Sequence, residues 1–469
     1  MSWQMRKILI YQIEMAHSGK QPLLQAGQDM DSDLDKDDGS EIVLDASIRD
    51  TSRIIPGQTR DKYYLTYFSF YLLGIVVITP WSFFVTANDY WMYKFRDVNT
   101  NVSMFINEKQ TTLQVEFTSF LNVAASVPTL LFLILNIYLI KRVSLSARVL
   151  TVMILMLFLF IMTVIFVNVN TDGWQEQFFV LTMVTMIVLN GCSAILSGSI
   201  FGIVGNFSSI YITAVNSGQS LGGIFAAIAE IISLAVGASS THAAFVYFII
   251  GSATIFLGII CYVLMVNTIF FKYNIRVKSL EDYSDSSSLI KDVDYSVIFR
   301  KIWTIGVTCF MVLFTTTCVS PGVTVLVESE GKGQSKWSDI FFVPVINYLL
   351  FNVSDYIGRL SAGRFTKPDN LIVLVVMSFS RLIFVPLLLL CNAQPRHHLD
   401  VVFSRDYEFI IILALFALSN GYLVNAAVIK APKLVEQHET EVALCIISVF
   451  IGFGMAFGSL SGYLIVKLL

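Results

Sequence analysis

A series of long apolar runs, separated by short polar breaks, constrains this chain more than any other feature of its sequence. Crossing a bilayer takes a helix of about 20 predominantly apolar residues, because the hydrocarbon core is about 30 Å thick. The runs therefore predict an all-α integral membrane protein, and the charged fraction, 14% against about 25% in soluble domains, supports that class. Eleven transmembrane helices are expected, over residues 63–87, 114–140, 147–168, 178–204, 208–236, 244–271, 303–327, 338–361, 371–391, 408–430 and 440–467.

The distribution of Lys and Arg predicts how these helices are oriented. The segment before the first helix and the 2–3 and 6–7 connections carry basic residues, whereas the 3–4 and 5–6 connections have none. Because basic loops are retained on the cytoplasmic side, we expect a cytoplasmic N-terminus and a lumenal or extracellular C-terminus. The Asn101-Val102-Ser103 sequon then falls in a lumenal loop, so Asn101 is a predicted glycosylation site.

Polar segments divide the chain into four parts. Residues 1–60 form a head whose acidic run is typical of a disordered cytoplasmic segment. This head holds two candidate signals for sorting adaptors, Leu23-Leu24 and an Ile54-Ile55 pair that follows an acid by four residues. The other expected parts are a six-helix bundle over 61–271, a cytoplasmic linker over 272–302 and a five-helix bundle over 303–469.

The eighth predicted helix carries charges inside an apolar run. Asn352, Asp355 and Arg359 are spaced so that one helical face presents an amide, a carboxylate and a guanidinium. Charges within a membrane helix are costly and mark a substrate or ion path by default. The alternative is a latch, in which Asp355 and Arg359 only lock one conformation. We favour contact with a substrate, because Asn352 extends the polar face deeper than a latch requires.

Other helices offer an aromatic residue and further charges. In Thr79-Pro80-Trp81, the proline frees a backbone carbonyl, and the Trp81 ring either stacks on a flat ligand or anchors the membrane interface. Glu230 and Arg381 each need a partner or a water-filled cavity. Glu230 is predicted either to sense protons or to pair with Arg381. Trp81 lies on the lumenal side of the middle of the first predicted helix, and Asp355 lies on the cytoplasmic side of the middle of the eighth. One ligand can therefore contact both residues only if these helices are tilted or offset.

A pair of opposite charges is expected at the cytoplasmic ends of two helices. Arg148 opens the third predicted helix and Glu441 opens the eleventh. The pair is interpreted either as a gate that closes the inner side or as a surface ion pair of no consequence. Small residues indicate close helix packing in Gly198-x-x-x-Gly202, Gly218-x-x-x-Gly222 and the Gly454, Gly458 and Gly462 series.

Catalysis and metal binding are disfavoured by the sequence. The six cysteines lie in apolar runs or near a helix end, without the spacing of a disulfide framework or a zinc site. The five histidines lie near loops or in the head, away from any intramembrane nucleophile. We therefore expect neither an enzyme nor a cofactor or metal, and no nucleic acid partner.

Six blocks in order along the chain resemble the equilibrative nucleoside transporters. The similarity runs from about residue 63 to the C-terminus and leaves the head uncovered. The blocks are Pro80-Trp81-Ser82-Phe83-Phe84-Val85-Thr86-Ala87, Ser217-Gly218-Gln219, Phe351-Asn352-x-x-Asp355-x-x-Gly358-Arg359, Arg381-Leu382-Ile383-Phe384-Val385-Pro386-Leu387, Cys391-Asn392-x-x-Pro395-Arg396 and Ser419-Asn420-Gly421-Tyr422-Leu423.

The resemblance implies a major-facilitator-like fold of six plus five helices and a uniporter that moves nucleosides, such as adenosine and uridine, and also nucleobases by alternating access. It implies that Trp81 packs against the base and that Asp355 and Arg359 hold the ribose hydroxyls. Arg148 and Glu441 would form the inner gate, and Pro321 would neighbour the lumenal constriction. Further residues expected to line the site are Asn352, Tyr348, Ile78, Val85, Ser193, Ser197 and Gly218.

Several positions depart from the pattern of plasma-membrane members. Ser82 follows the Trp where they have Asn, and Ser197 replaces a Gln that reads the base. Ser197, the acidic head and the segment Asn88-Asp89-Tyr90-Trp91-Met92 after the first helix are more similar to the endolysosomal branch, which favours a lysosomal or late endosomal membrane over the plasma membrane. An acidic lumen would give Glu230 and Glu441 a proton-sensing role. The rival functions are a proton-coupled nucleoside symporter and a non-transporting membrane receptor.

Overall fold

In the computed structural model, the described residues are 61–97, 112–140, 142–237, 239–275, 294–365, 367–394, 396 and 400–468. The predicted head, the glycosylation site Asn101 and most of the predicted linker, residues 276–293, lie outside them. Over the described ranges the chain is helical, and β contacts are limited to the isolated bridges Val327–Ala393 and Cys391–Phe403.

Thirteen α-helices follow one another along the described ranges. They are α1 (Leu65–Thr86), α2 (Asn88–Lys94), α3 (Thr112–Ile140), α4 (Leu145–Asn168), α5 (Gln175–Val204), α6 (Ser209–Val236), α7 (Ser240–Asn267), α8 (Tyr295–Val319), α9 (Phe351–Phe365), α10 (Leu371–Ser380), α11 (Phe384–Leu389), α12 (Asp406–Lys430) and α13 (Thr440–Leu468).

Two predicted helices are not α-helical throughout. The eighth begins as π-helix over Trp337–Phe341 and Val343–Leu350 before it becomes α9. The ninth is divided into α10 and α11 by the 3₁₀ turn Arg381–Ile383. Pro386 lies in α11 and lacks the N–H that would bond to the carbonyl four residues before it, which favours a break at this turn.

The predicted start of the seventh helix, residue 303, is wrong by two turns, because α8 begins at Tyr295. Asp294 precedes it, and its carboxylate accepts hydrogen bonds from the backbone N–H groups of Ser296 at 2.9 Å and Val297 at 3.4 Å. A side-chain cap of this kind satisfies N–H groups that have no partner inside the helix. The helix therefore extends beyond its apolar run.

Nine helices within the described ranges are long and apolar enough to cross a membrane. α3 meets the apolar criterion only over Ala124–Ile140, and the helix that contains α9 is interrupted by its π-helical part. The class of helical membrane protein is confirmed, and the count of eleven crossings stays a prediction.

Glycines allow the helices around the polar site to touch through their backbones. Residues Tyr63–Thr268 and Val293–Leu469 form one compact unit, in which α1 packs on α6 and α9 on α12. A Cβ atom on Gly218 would lie 2.1 Å from the Tyr71 carbonyl oxygen, and one on Gly421 would lie 2.0 Å from that of Asp355. No side chain fits at these crossings, which holds α6 and α12 close to α1 and α9.

Candidate functional site

Asp355 on α9 is the centre of a buried polar cluster. Its Oδ2 atom accepts hydrogen bonds from Ser220 Oγ at 2.6 Å and from Arg359 Nε at 2.7 Å. Its Oδ1 atom accepts one from Asn420 Nδ2 at 2.6 Å. The residue is 3% exposed, so these three donors compensate for the water that burial removes. The cluster joins α6, α9 and α12.

Arg359 extends the cluster towards α6 and keeps one end free. Its Nη1 atom donates to the Asn216 carbonyl oxygen at 2.7 Å and to Gln219 Oε1 at 3.3 Å. Its Nη2 atom has no hydrogen-bond partner among the described residues, and its side chain is 12% exposed, against 4% for Asp355. Arg359 therefore has a donor left for a ligand, whereas both Asp355 oxygens are occupied.

A second guanidinium is connected to the cluster through α8 and α12. Thr316 Oγ1 donates to Asn420 Oδ1 at 2.7 Å, and Arg381 Nη2 donates to that Thr316 oxygen at 3.1 Å. Arg381 also donates to the Val312 and Phe416 carbonyl oxygens and to Ser419 Oγ, and it lies 4.8 Å from the centre of the Phe416 ring. Neutral oxygen atoms thus hold this buried cation, and its donors are not directed at Glu230.

Two adjacent glycines on α6 bring α1 and α9 together. A Cβ atom on Gly222 would lie 2.5 Å from Ile78 Cγ2, and one on Gly223 would lie 2.2 Å from Asn352 Oδ1. Tyr71 Oη, on α1, donates to Tyr356 Oη at 2.7 Å. Three predicted site residues, Ile78, Gly218 and Asn352, are therefore gathered around α6. The Asn352 amide donates to the Tyr348 carbonyl oxygen at 2.9 Å.

The remaining predicted lining residues are half-buried on α1 and α5. Trp81 and Val85 follow Ile78 along α1, and Trp81 makes no hydrogen bond or ring contact with Asp355 or Arg359 in the described structure. The Ser193 hydroxyl on α5 donates to the Val77 carbonyl oxygen beside Pro80. Ser197 follows one turn later on α5. Shared access to one cavity for Trp81 and Asp355 stays a prediction.

The predicted pair Arg148–Glu441 is formed. Arg148 Nη2 lies 2.6 Å from Glu441 Oε1, and Nη1 donates to Asn136 Oδ1 at 3.1 Å, which links α3, α4 and α13. Pro321 follows the C-terminal end of α8. Its carbonyl oxygen accepts a hydrogen bond from Val325 N at 3.0 Å. The pair and Pro321 are separate from the Asp355 cluster.

Sequence reasoning missed the neutral partners of the cluster. Ser220 and Asn420 were not assigned to it, although Asn420 belongs to a block that carries the family resemblance. The sequence did offer one indication of these partners, namely amide and hydroxyl side chains inside apolar helices. Such groups need a hydrogen-bond partner when they are buried. The other missed members are Asn216, Gln219, Thr316 and Asn425.

Apolar crossings around a buried ionic network are typical of helical membrane transporters. The nucleoside transporter family model matches residues 181–467. Human equilibrative nucleoside transporter 1 is 33% identical over 450 residues, which cover 87% of this chain and 98% of that protein. Rat equilibrative nucleoside transporter 3 is 32% identical over 428 residues, which cover 86% of this chain and 90% of that protein. The chain belongs to the equilibrative nucleoside transporter family, a family of transporters and not of enzymes.

The fold has a counterpart among solved structures. The crystal structure of a variant of the fucose:proton symporter of E. coli, a major-facilitator protein, is similar with a TM-score of 0.51. The sequences are 14% identical, and the similarity covers 87% of this chain and 98% of that one. At this identity the likeness shows the major-facilitator-like fold alone.

Proposed function

We propose that the protein is a facilitative transporter of nucleosides, with adenosine, uridine and related nucleosides as substrates and nucleobases as further ones. The observation that carries the proposal is the Asp355–Arg359 pair, buried where α6, α9 and α12 meet and left with one free guanidinium donor. Family membership supports the substrate class. The fold supports transport by alternating access, in which a central site opens to one side of the membrane at a time.

The sugar end of the substrate binds at Arg359. Its Nη2 atom donates to ribose hydroxyl oxygens, and charge-assisted hydrogen bonds of this kind are stronger than neutral ones. Asp355 fixes the guanidinium through the 2.7 Å bond to Nε, and it reaches a hydroxyl itself once Ser220 or Asn420 moves away. Asn352 and Tyr348 line the same end of the site.

The base binds against α1 and α5. The Trp81 ring supplies a flat surface for stacking, and Ile78 and Val85 supply the apolar wall. Ser193 and Ser197 face the base from α5, while Gly218 lets α6 approach α1, the helix that carries Trp81. A hydroxyl at Ser197 offers a single donor, whereas an amide offers a paired donor and acceptor. We therefore expect weak discrimination between purine and pyrimidine bases.

The Arg148–Glu441 pair acts as the inner gate, and Pro321 adjoins the constriction at the opposite end. The supporting observation is that the pair joins α4 to α13 across the 2.6 Å contact. Glu441 and Glu230 are the candidate proton sensors of the transporter.

The compartment proposed for this multi-pass membrane protein is the lysosome or late endosome, with the plasma membrane as the alternative. This assignment is supported by Ser197, the acidic head, the segment Asn88-Asp89-Tyr90-Trp91-Met92 and the candidate sorting-adaptor signals. The N-terminus faces the cytoplasm and the C-terminus faces the lumen, in line with the distribution of basic residues.

Uptake of radiolabelled uridine into proteoliposomes tests the proposal. Arg359→Ala and Asp355→Asn should each lower the initial rate at least tenfold, because a charge-assisted hydrogen bond contributes about 1.5–3 kcal/mol. Arg359→Lys should recover little, since it lacks the planar fork. Arg405→Ala is the matched control, because Arg405 forms an exposed pair with Glu330. Uptake by Arg359→Ala at the rate of the control would refute the role of the pair, and uphill accumulation driven by a pH gradient would favour a symporter.

A further inference from the structure

The hydroxyl of Ser220, on α6, is directed differently from most hydroxyls of these helices. A serine or threonine inside a helix commonly donates to the carbonyl oxygen one turn before it, and Ser252 does so to Phe248 at 2.7 Å. Such a bond satisfies the hydroxyl within its own helix. Ser220 instead donates across to Asp355 Oδ2 on α9, at 2.6 Å. Its hydroxyl is therefore one of the three side-chain donors that surround this carboxylate.

The two neutral donors to Asp355 differ in how firmly they are held. The Asn420 amide donates to Oδ1 at 2.6 Å, and its own oxygen accepts from Thr316 Oγ1 at 2.7 Å. Thr316 in turn accepts from the buried Arg381 guanidinium. The Ser220 side chain has no second hydrogen-bond partner within the described ranges. Movement of Asn420 would disturb a chain of bonds, whereas movement of Ser220 breaks only one.

Ser220 has another acceptor within its own helix. Rotation about its Cα–Cβ bond directs the hydroxyl to the carbonyl oxygen of Asn216, which lies one turn before it on α6. That oxygen already accepts from Arg359 Nη1 at 2.7 Å, and a carbonyl oxygen has two lone pairs. Ser220 can therefore leave Asp355 and still make a hydrogen bond. Asp355 Oδ2 then has room for a donor from outside the chain.

This acceptor lies beside the free donor of Arg359. The Nε and Nη2 atoms share one edge of the planar guanidinium, and their N–H bonds along that edge are parallel. Nε donates to Asp355 Oδ2 at 2.7 Å, whereas Nη2 has no partner among the residues that the structure describes. A hydroxyl oxygen that accepts from Nη2 therefore lies close enough to Oδ2 to donate to it. Ser220 holds this acceptor in the structure.

We propose that Ser220 is a specificity-determining residue of the nucleoside site, whose hydroxyl competes with a sugar hydroxyl of the substrate for Asp355. The inference rests on the proposed function, because it requires that the sugar binds at this pair. Each nucleoside then has to displace Ser220, whereas a free nucleobase has no sugar hydroxyl and leaves Ser220 in place. Ser220 therefore lowers the affinity for nucleosides and leaves the affinity for nucleobases unchanged.

Competition for uptake of radiolabelled uridine tests the inference, with the purified full-length protein in proteoliposomes and unlabelled uridine or uracil as the competitor. Ser220→Ala should bind uridine about fivefold more tightly than the wild type, because a hydrogen bond to a charged group is stronger than one to a carbonyl. Uracil, which has the base without the sugar, should have the same apparent affinity for both proteins. A purely structural role of Ser220 predicts no gain, and no difference between the two competitors.

Two further variants complete the test. Ser220→Cys keeps a side chain of similar size with a weak donor, so it should also bind uridine more tightly, and it decides the outcome should Ser220→Ala fail to fold. Ser361→Ala removes an α9 hydroxyl that donates to the Ile357 carbonyl oxygen, and it should behave as the wild type. Unchanged or weaker uridine affinity in the Ser220 variants, or an equal gain for uracil, would overturn the inference. Absence of saturable uridine uptake by the wild type would overturn the proposed function, and this inference with it.

Discussion

Arg148 and Glu441 are joined by a contact of 2.6 Å between Nη2 and Oε1, which ties the first turn of α4 to the first turn of α13. The arginine side chain is 3% exposed and the glutamate side chain 30%. The buried partner of this pair depends on the accessible one for its compensating charge, because an unpaired buried cation is costly. We therefore expect a substitution of Glu441 to disturb the contacts that Arg148 makes with α3 and α13.

Glu441→Gln should increase the accessibility of Cys445, which lies one turn further along α13 and is 1% exposed. We expect the substitution to destabilise the contacts around Arg148 by about 1–3 kcal/mol, less than for a fully buried pair. Labelling of Cys445 by a maleimide should become several-fold faster. Cys309, which is fully buried in α8, is the internal control, and equal labelling of Cys445 in both proteins would contradict the prediction.

Arg381→Lys should destabilise the protein although it keeps the charge. The guanidinium donates to four different residues and stacks on Phe416, a geometry that a single ammonium cannot reproduce. Each buried acceptor left without a donor costs about 1–3 kcal/mol, so a loss of about 3 kcal/mol is expected. Thermal unfolding measures it, and the exposed Arg405→Lys should leave the melting temperature unchanged.

Gly218→Ala should separate α1 from α6 and abolish uridine uptake. The new Cβ atom would lie 2.1 Å from the Tyr71 carbonyl oxygen, and neither backbone can yield without moving a whole helix. Gly173→Ala is the matched control, since a Cβ atom there would meet nothing within 4 Å. Retention of wild-type uptake and melting temperature by Gly218→Ala would show that the two helices are not held at this distance.

Cys391 should resist alkylation at pH 8 in the folded protein. Burial raises the pKa of its thiol from 9.0 to about 12, so about one thiol in ten thousand is ionised at that pH. Above pH 9 the unfolded chain loses this proton while the folded chain keeps it, so stability falls as the pH rises from about 9 to about 12. Iodoacetamide labelling before and after denaturation measures the first effect, and rapid labelling of the native protein at Cys391 would disprove it.

Helix positions were largely predictable because they depend on local composition. The apolar run at residues 147–168 became α4 (Leu145–Asn168), and the run at 178–204 became α5 (Gln175–Val204). The π-helical stretch Val343–Leu350 carries the same apolar signal as an α-helix, so its different hydrogen bonding could not be read from the residues. Packing against neighbouring helices decides that geometry.

The candidate site was predictable only within one helix. Asp355 and Arg359 are four residues apart, and helical periodicity alone places them on one face. Ser220 and Asn420, which complete the coordination of Asp355, lie 135 and 65 residues away along the chain. No local pattern relates them to α9.

By itself, the amino-acid sequence determined that this chain is a helical membrane protein of the nucleoside transporter family, since hydrophobic period, run length and short motifs are local properties. Tertiary structure alone decided which donors surround Asp355 and which end of Arg359 stays free. Those relationships arise where glycines let α6 approach α1 and α9, and a contact between distant helices is a property of the packed whole.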